Sequence, residues 1–455
     1  MTSTLRNSGK MEWNRLILDV RFGLEDYHDP RRSSRTEFQR DFDRLVFSSP
    51  FRRLQNKTQV FPLPGSIFVH NRLTHSLEVS SVGRSIANEV AIRLRVKYAA
   101  EPWVSRLDAI GEIVGAACLA HDLGNPPFGH SGEKAIATFF SEGAGKRFGE
   151  NLTAEQWMDL TRFEGNANAF RLLTHQFKGR RKGGFAMTYS TLAAIAKYPF
   201  SSTLSGGKQK FGFFTQERED FCKVADALGM LCLEEKPEGV RYARHPLVYL
   251  VEAADDICYE VMDLEDAHKL GILRGDVVEP LLLSFFDSDR RAHNQEVLSH
   301  IDDPNERIAY LRSCVIGTLV NCCVDVFVDN EEAILRGEFN GQLLDFIPML
   351  ERTAYKRCVE LSWSSIYSAP DVVEIELAGN RIITFLMEKL TDAVVNPDFN
   401  YSRLLLSQIP RQYQIDSPSL YGKIQAIVDY VSGMTDVYAL DLYRKLNGMS
   451  LKINN

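Results

Sequence analysis

The dipeptide His121-Asp122 places an imidazole and a carboxylate at the end of a strongly apolar segment, IVGAACLA at residues 113–120. An ionised carboxylate in such surroundings is costly unless it is paired or bound to a metal ion. Alone, this dipeptide is more often a helix terminus than a ligand pair, and Gly124 followed by the sequence NPP is typical of a helix that stops. The pair therefore indicates a metal site only if other ligands accompany it.

Two other segments supply such ligands. His75 lies near the start of the helix expected from HNRLTHSLEV, and Asp255 and Asp256 lie in an apolar helical stretch, EAADDICYEV. Imidazoles and carboxylates together suit Mn²⁺, Fe²⁺, Co²⁺ or Mg²⁺, whereas a closed structural zinc site more typically uses thiolates. With four protein ligands, an octahedral ion keeps positions for water and a phosphate oxygen. Asp255 shares a helix face with Tyr259, one turn away, and this weakly favours Asp255 over Asp256 as the metal ligand.

A histidine and a glutamate, His130 and Glu133, follow three residues apart in the sequence GHSGE. This spacing puts both on one face of a new helix, where the carboxylate can hold the imidazole and raise its proton affinity. An imidazolium is a suitable proton donor when a P–O bond breaks toward an alkoxide. A polar cluster that caps the helix is the alternative interpretation.

The elements that must position these residues are mainly helical. Apolar residues recur at helical spacing across 77–94 and 108–120. Alternating segments that indicate strands are short, with one hairpin expected across 59–69 and a second across 206–214. A soft boundary near 270–280 follows the last ligand candidate, and the two parts are expected to be lobes of one unit. Further helices are predicted at 222–233, 246–266, 305–327, 341–361, 380–393 and 420–446.

Composition narrows the class of protein. The net charge of −7 excludes a molecule that is basic overall, although basic clusters at 31–35, 52–53 and 178–182 could face a polyanion or be solvated. Eight cysteines without a CxxC pair favour a reduced, cytoplasmic protein. No apolar stretch of about eighteen residues is evident, and the N-terminal MTSTLRNSGK lacks the apolar region of a signal peptide. No membrane association is therefore expected.

Taken together, the order H…HD…D resembles that of the HD phosphohydrolases. The longer strings HNRLTHSLEV, HDLGNPPFGHSGE and EAADDICYEVMDLEDA resemble the deoxyguanosine triphosphate triphosphohydrolases (dGTPases) in particular. RTEFQRDFDRLVFSSPFRRLQNKTQVFP and, at 430–440, YVSGMTDVYAL add to the resemblance, which is dense over residues 35–270 and thinner beyond. Asn125 matches the bacterial pattern, since the mammalian relative has a histidine in its place.

The resemblance implies a mainly α-helical HD-domain fold with additional C-terminal helices and small β-hairpins. We expect an N-terminal segment (1–34), an HD phosphohydrolase core (35–275) and a C-terminal helical lobe (276–455). The implied reaction cuts a dNTP, dGTP above all, between the deoxyribose 5′-oxygen and the α-phosphorus and releases tripolyphosphate. The implied cofactor is a divalent metal ion, Mn²⁺ or Mg²⁺, with Co²⁺ or Fe²⁺ as alternatives. A homo-oligomer, with a hexamer suggested by the family, and a single-stranded DNA effector complete these expectations.

The resemblance also implies roles for individual residues. The implied metal ligands are His75, His121, Asp122 and Asp255. His130 is implied to be a general acid or proton shuttle with Glu133 as its partner, while a nucleophile or base role for one of them stays open. The implied substrate contacts are Gln55 on the deoxyribose, Arg72, Asn166, Lys197 and Lys210 on the phosphates, Tyr259 and Asp263 on the sugar, and Asn125 in the motif itself.

Two rival functions stay open on the sequence. One is a dNTPase or nucleotide phosphohydrolase of broader specificity, and the other is a regulatory, nucleic-acid-binding protein with a vestigial site. The presence of all four implied ligands argues against the second. The glycine-rich segment 143–149 is interpreted as a polar loop, because it lacks the strand and the hydroxyl residue of a phosphate loop. The phenylalanine-rich segment 211–214 is interpreted as packing.

Overall fold

Residues 9–26, 35–61 and 69–449 are described by a computed structural model, and they have the mainly α-helical architecture that the sequence predicted. In these residues the sheet structure is one antiparallel hairpin, β1 (Cys232–Lys236) with β2 (Gly239–Tyr242). The helices are, in chain order, α1 (Trp13–Leu16), α2 (Glu37–Val46), α3 (Ser49–Arg53), α4 (Arg72–Lys97), α5 (Ile110–Ala120), α6 (Gly129–Ser141), α7 (Ala154–Thr161), α8 (Gly165–Thr174), α9 (Tyr189–Ile195), α10 (Arg218–Ala227), α11 (Pro246–Lys269), α12 (Gly275–Leu283), α13 (Ser288–Leu298), α14 (Pro304–Asp329), α15 (Glu331–Leu335), α16 (Met349–Leu361), α17 (Pro370–Val395), α18 (Asn400–Leu406), α19 (Leu420–Ser432) and α20 (Asp436–Leu446).

The helices α4 and α5 form the centre of the fold: α4 carries His75, and α5 leads directly into His121 and Asp122. At the start of α4, the Asn71 side chain accepts from the Thr74 amide and the Thr74 hydroxyl accepts from the Asn71 amide. This reciprocal cap satisfies two amides that the helix itself cannot. Every residue of α5 except Glu112 is buried, because α2, α4, α9 and α11 pack around it. Helix α11 packs along both, so the ligand-bearing ends of α4 and α5 are held by a rigid three-helix centre.

Three predicted helices differ from their predicted bounds. The helix expected at 341–361 begins only at Met349, as α16, and a single 3-10 turn at Leu343–Asp345 precedes it. Helix α10 ends at Ala227 instead of continuing to residue 233, because Gly229 is left-handed (φ +68°) and the Met230 amide bonds back to the Ala225 carbonyl. The stretch 420–446 is divided into α19 and α20. Between them the Thr435 hydroxyl accepts from a backbone amide and so starts a new helix.

The small β-structure lies elsewhere than expected. The prediction of a hairpin at 206–214 is wrong, because the segment turns through left-handed glycines and then makes an isolated bridge from Phe213 to Ser201. The hairpin expected across 59–69 lies largely on 62–68, outside the described residues. Period-2 patterns this short do not distinguish a strand from an irregular segment that happens to be half-buried.

Apolar burial crosses the expected boundary near residue 275. One core cluster joins α4, α5 and α11 to α12 and α14, and a second joins α6 to α17, α19 and α20. Helices from both sides of the boundary therefore share each core. The division into three segments stays a prediction, and the packing agrees with the expectation that the two parts are lobes of one unit.

Helix α14 is long and apolar enough to cross a membrane by length and composition alone, which the sequence reading did not indicate. Half of its apolar window is buried inside the fold, where the helix packs against α4, α11 and α12. Core helices use apolar stretches in this way, so packing accounts for its composition.

Candidate metal and substrate site

Three of the predicted metal ligands converge although they come from three different helices. His75 lies in the first turn of α4, His121 directly follows α5, and Asp255 lies in the middle of α11. The Asp255 Oδ1 atom is 3.0 Å from His75 Nε2 and 3.4 Å from His121 Nε2. One donor atom from each residue lies within 4.8 Å of the other two, a spacing at which a single ion can be bound.

The donor atoms fit a divalent cation. The Nδ1 atom of His121 is 2.6 Å from the Cys118 carbonyl and donates to it, so Nε2 is the ring atom that faces Asp255 and would bind a metal ion once it has lost its proton. That Nε2 atom is buried and has no hydrogen-bond partner in the described part of the chain. Burial would raise the pKa of Asp255, but His121 and His75 outweigh it and hold the pKa well below the usual range. The carboxylate is therefore ionised, as metal binding requires.

Asp122, the fourth predicted ligand, lies beside these three residues. Its two carboxylate oxygens accept hydrogen bonds from two other side chains. Its Oδ1 atom is 3.6 Å from His121 Nε2 and accepts a hydrogen bond from the Asn125 side chain. Its Oδ2 atom accepts from Arg72 Nη1 at 2.7 Å. Arg72 is itself buried, so in this structure it neutralises Asp122. Metal ligation by Asp122 and phosphate binding by Arg72 stay predictions.

His130 and Glu133 make the contact that their spacing predicted. His130 Nδ1 is 2.8 Å from Glu133 Oε2, and the other carboxylate oxygen accepts from the Gly165 amide at 2.7 Å. This hydrogen bond and the charge of Glu133 raise the pKa of His130, against the opposing effects of burial, Arg72 and Lys210. Burial would raise the pKa of Glu133, but His130 lowers it. The pair is thus a buried carboxylate that holds an exposed, readily protonated imidazole.

One cavity of 260 Å³ brings most of the predicted site together. Of the predicted metal ligands, His121, Asp122 and Asp255 line it, while His75 lies behind them and is 2% exposed. The other predicted residues that line it are Arg72, Asn125, His130, Glu133, Asn166, Lys197, Lys210 and Tyr259. Gln55 and Asp263 are not among the lining residues, and Gln55 is exposed on the surface.

A different glutamine, Gln59, lines the cavity, and the sequence analysis missed it. Its Oε1 atom is buried and has no partner in the described ranges. Gln55 lies in a single 3-10 turn, Leu54–Asn56, and Gln59 follows it at the start of a short alternating stretch. Neither pattern is long enough to tell which glutamine faces the cavity. A buried amide oxygen without a partner is the signal that marks Gln59 as a ligand-facing residue.

The two lysines of the cavity are paired with acidic residues that the sequence analysis also missed. Lys197 Nζ is 3.3 Å from Glu252 Oε1, and Lys210 Nζ is 3.0 Å from Glu164 Oε1. Burial alone would lower the pKa of each lysine, but neighbouring carboxylates raise both above the ordinary value, so both stay charged. Tyr198 lies between them, with its ring centre 5.9 Å from Lys197 Nζ and 5.6 Å from Lys210 Nζ.

Asp263 lies next to the cavity, one helical turn beyond Tyr259. It is buried and accepts a hydrogen bond from the Tyr367 hydroxyl at 3.0 Å. Burial raises the pKa of Asp263 well above its usual range although this hydrogen bond opposes the shift. The Tyr367 ring also lies 5.9 Å from the Tyr259 ring, centre to centre. A C-terminal residue thus completes this side of the site, which local sequence could not indicate because the two positions are 104 residues apart.

Comparisons with known proteins agree with this geometry. The HD domain family matches residues 72–184, and the phosphohydrolase-associated domain family matches residues 352–445. A deoxyguanosinetriphosphate triphosphohydrolase-like protein of Synechocystis sp. is 38% identical over 97% of this chain and 100% of its own length. The chain belongs to this family of HD phosphohydrolases.

Other relatives in the family cover the chain almost as fully. A deoxyguanosinetriphosphate triphosphohydrolase-like protein of Pseudomonas aeruginosa is 36% identical, over 97% of this chain and 99% of its own. The deoxyguanosinetriphosphate triphosphohydrolase of Yersinia enterocolitica is 31% identical, over 90% and 93%. The family that the sequence resembles is therefore confirmed. Membership of the HD phosphohydrolases makes the chain a hydrolase. Asp255 lies outside both matched regions, so its place in the ligand cluster comes from the structure.

Proposed function

We propose that the chain is a divalent-metal-dependent dNTP triphosphohydrolase that converts dGTP and water to deoxyguanosine and tripolyphosphate. One observation carries the proposal: a single cavity combines the ligand cluster around Asp255 with the His130–Glu133 pair and two charged lysines. The dGTPase names of relatives at 31–38% identity support the guanine preference.

His75, His121 and Asp255 would hold the metal ion, with Asp122 as the fourth ligand. For Asp122 to bind, its Oδ1 atom would exchange the hydrogen bond from Asn125 for the ion while Arg72 keeps Oδ2. When bound, a divalent ion supplies positive charge that polarises a phosphate and lowers the pKa of water. We propose Mn²⁺ or Mg²⁺, with Co²⁺ or Fe²⁺ as alternatives, because the donors are nitrogen and oxygen.

The chain's own residues bind the triphosphate and move a proton. Lys197 and Lys210 would bind phosphate oxygens while their glutamate partners fix the position of each ammonium group. His130, whose proton affinity Glu133 raises, would donate its proton to the 5′-oxygen as that oxygen leaves the α-phosphorus. Asn166, close to Lys210 through their shared bonds to Glu164, would contact the phosphates as well.

We propose that the sugar binds against Gln59 and Tyr259, both of which line the cavity. The Gln59 amide oxygen can accept from a sugar hydroxyl, and Asp263, one helical turn beyond Tyr259, accepts from the Tyr367 hydroxyl and so fixes that side of the cavity. Gln55, the residue expected there from the sequence, faces solvent, so its role stays a prediction without a contact in the cavity.

A product assay tests the proposal. Purified protein is incubated with each of the four dNTPs and with Mn²⁺ or Mg²⁺, and the products are resolved by anion-exchange chromatography. Deoxyguanosine with intact tripolyphosphate is expected from dGTP. Release of pyrophosphate or of single phosphate would sink the proposal. Equal rates with all four dNTPs would instead identify the broader-specificity dNTPase that the sequence left open.

We further propose that the protein is a cytoplasmic homo-oligomer, with the hexamer suggested by the resemblance. Large exposed apolar side chains on α17 and α18, Leu377 and Leu404 among them, support a contact between copies. All eight cysteines are in the described ranges and are free thiols, which supports a reducing compartment. Light scattering after size-exclusion chromatography tests the assembly.

Titration with a labelled single-stranded oligonucleotide at two salt concentrations tests the proposed DNA effector.

A further inference from the structure

The chain adopts an unfavourable backbone conformation directly before His130. Phe128 is left-handed (φ +62°, ψ +20°) and Gly129 follows at φ +58°. Among the described residues, only Phe128 and Ala186 have positive φ without being glycine. Such a conformation is strained for a residue with a side chain and persists only where the surroundings impose it. This turn begins α6 and therefore determines where His130, the second residue of that helix, is placed.

One carboxylate of the C-terminal region bonds directly to this turn. Asp436, the first residue of α20, is buried, and its Oδ1 atom accepts from the Phe128 amide at 2.9 Å. Its Oδ2 atom accepts from the Thr58 amide at 2.7 Å. Asp436 therefore joins the turn before His130 to the segment that carries Gln59, and both of its oxygens are used by backbone amides.

A buried lysine makes a second connection between the same three parts. Lys57 donates from Nζ to the carbonyls of Asn125 and Ser432. Asn125 precedes the turn, and Ser432 ends α19, just before Asp436. The turn is thus fixed on both of its flanks.

Helix α17 closes the other side of the turn. A Cβ atom built on Gly379 would lie 2.6 Å from the Phe128 Cβ atom, closer than non-bonded carbons approach. Only a glycine therefore leaves room for the Phe128 side chain in its present position. Ser131 lies two residues after Gly129, and its hydroxyl donates to the Glu376 carbonyl of α17 at 2.7 Å.

We propose that Asp436 is a positioning residue for His130: together with α17 it imposes the left-handed turn that sets the place of the imidazole in the cavity. The inference rests on the proposed function, since it presumes that His130 moves a proton. It assigns a role to the phosphohydrolase-associated region, residues 352–445, which contains both Asp436 and Gly379 and none of the metal-ligand candidates.

The first test replaces the carboxylate. Asp436→Ala leaves the turn without its acceptor, and a displacement of His130 by about 1 Å is expected to lower kcat about tenfold to a hundredfold. The bound metal content is expected to stay within twofold of wild type, because the ligand cluster is not touched. KM for dGTP is expected to rise as well, because the Thr58 amide before Gln59 loses its acceptor too, so the loss of kcat is the readout for His130. Asp436→Asn keeps one oxygen for the Phe128 amide but turns its NH2 group toward the Thr58 amide, so kcat should recover in part, to a value between those of Asp436→Ala and wild type. Asp441→Asn, an exposed position on the same helix, is the matched control.

The second test reaches the same turn without touching Asp436. Gly379→Ala is expected to lower kcat at least tenfold, because the new methyl group displaces Phe128. In a Phe128→Gly background the side chain that would collide is gone, and glycine adopts positive φ freely, so Gly379→Ala should then change kcat by less than twofold. A purely structural defect of α17 would persist in that background.

The proposed hydrolase activity and the positioning role of Asp436 are contradicted by different results. A wild-type protein that does not hydrolyse dNTPs overturns the proposed function. If wild type hydrolyses dGTP while Asp436→Ala and Gly379→Ala both keep wild-type kcat, the positioning role is overturned and the proposed function stands. If Asp436→Ala does not fold, the double-mutant cycle of Gly379 and Phe128 decides.

Discussion

The histidine at position 130 is exposed, and the carboxylate that holds it is buried. Its raised pKa comes first from the hydrogen bond and charge of Glu133, while partial desolvation of the ring by neighbouring protein atoms, Arg72 and Lys210 act in the opposite direction. If protonated His130 donates to the leaving oxygen, kcat is constant below this raised pKa and falls as the pH rises through it. Glu133→Gln removes the charge, lowers the pKa of His130 and should move this alkaline limb to lower pH, with a loss of kcat of about 10²-fold at the optimum.

The measurement is kcat against pH at saturating dGTP and constant free metal. Glu155→Gln, a partly exposed residue on α7, serves as a control whose profile should coincide with that of wild type. A wild-type rate that rises with pH through the same limb would contradict the acid role and would assign His130 as a base.

Gln59 and Gln55 offer a second comparison between single residues. Gln59 lines the cavity, and its buried amide oxygen has no hydrogen-bond partner within 9–26, 35–61 and 69–449, whereas Gln55 is exposed. Loss of one neutral hydrogen bond to the sugar costs about 1 kcal/mol, so Gln59→Ala should raise KM for dGTP by about fivefold. Gln55→Ala should leave KM unchanged. Steady-state kinetics of both variants decides between them, and the reverse result would restore the position that the sequence resemblance implied.

At the scale of helices, the sequence predicted the elements whose burial follows a period. The helical pattern identified α4, α5 and α11, and the spacing of His130 and Glu133 correctly predicted their contact. The hydrophobic pattern gave wrong bounds where a left-handed glycine ends or interrupts an element. Gly229 ends α10 in this way, and the glycines at 206–207 form a turn where a strand was predicted. The pattern also could not indicate contacts between distant segments, such as Tyr367 with Asp263, because periodicity reports a buried face and not what covers it.

Gly124 lies just after the end of α5, as the sequence predicted, but the structure requires a glycine there for a different reason. The sequence placed it as the residue that stops α5, yet it is not among the left-handed glycines of the described chain. Instead, a Cβ atom at this position would lie 2.1 Å from the Gly165 carbonyl oxygen and 2.2 Å from the Ala169 amide nitrogen of α8. Both are backbone atoms, so they cannot move without displacing that helix.

Gly124→Ala should therefore destabilise the protein by about 1–3 kcal/mol, as overpacking of a close contact does. Because Asp122 is two residues away, the apparent affinity for Mn²⁺ should fall as well. Gly317→Ala is the control: this exposed glycine of α14 has free space around it, and alanine there should be neutral or stabilise by up to about 1 kcal/mol. Chemical denaturation and metal titration measure the two effects, and an unchanged Gly124→Ala variant would contradict the close approach.

At the scale of the whole molecule, a buried charge network joins α8 of the HD region to α19 of the C-terminal region. Arg171 binds both oxygens of Asp429, at 2.7 and 2.8 Å, and also contacts Glu217. All three side chains are almost completely buried. Burial opposes the charge of Arg171, but the two carboxylates outweigh it and raise its pKa, so the network holds a charged guanidinium.

Removing one member of such a network leaves its partners charged and buried, which costs more than the network contributes when complete. Arg171→Ala should therefore lower the free energy of unfolding by about 3–5 kcal/mol, as measured by urea denaturation. Arg274→Ala breaks an exposed ion pair with Asp276 and should leave the midpoint unchanged. Because α19 leads into Asp436, a loosened α19 should also release the turn before His130. Arg171→Ala should then lower kcat below the temperature at which unfolding begins, and a destabilised variant with wild-type kcat would show that the two regions are joined for stability alone.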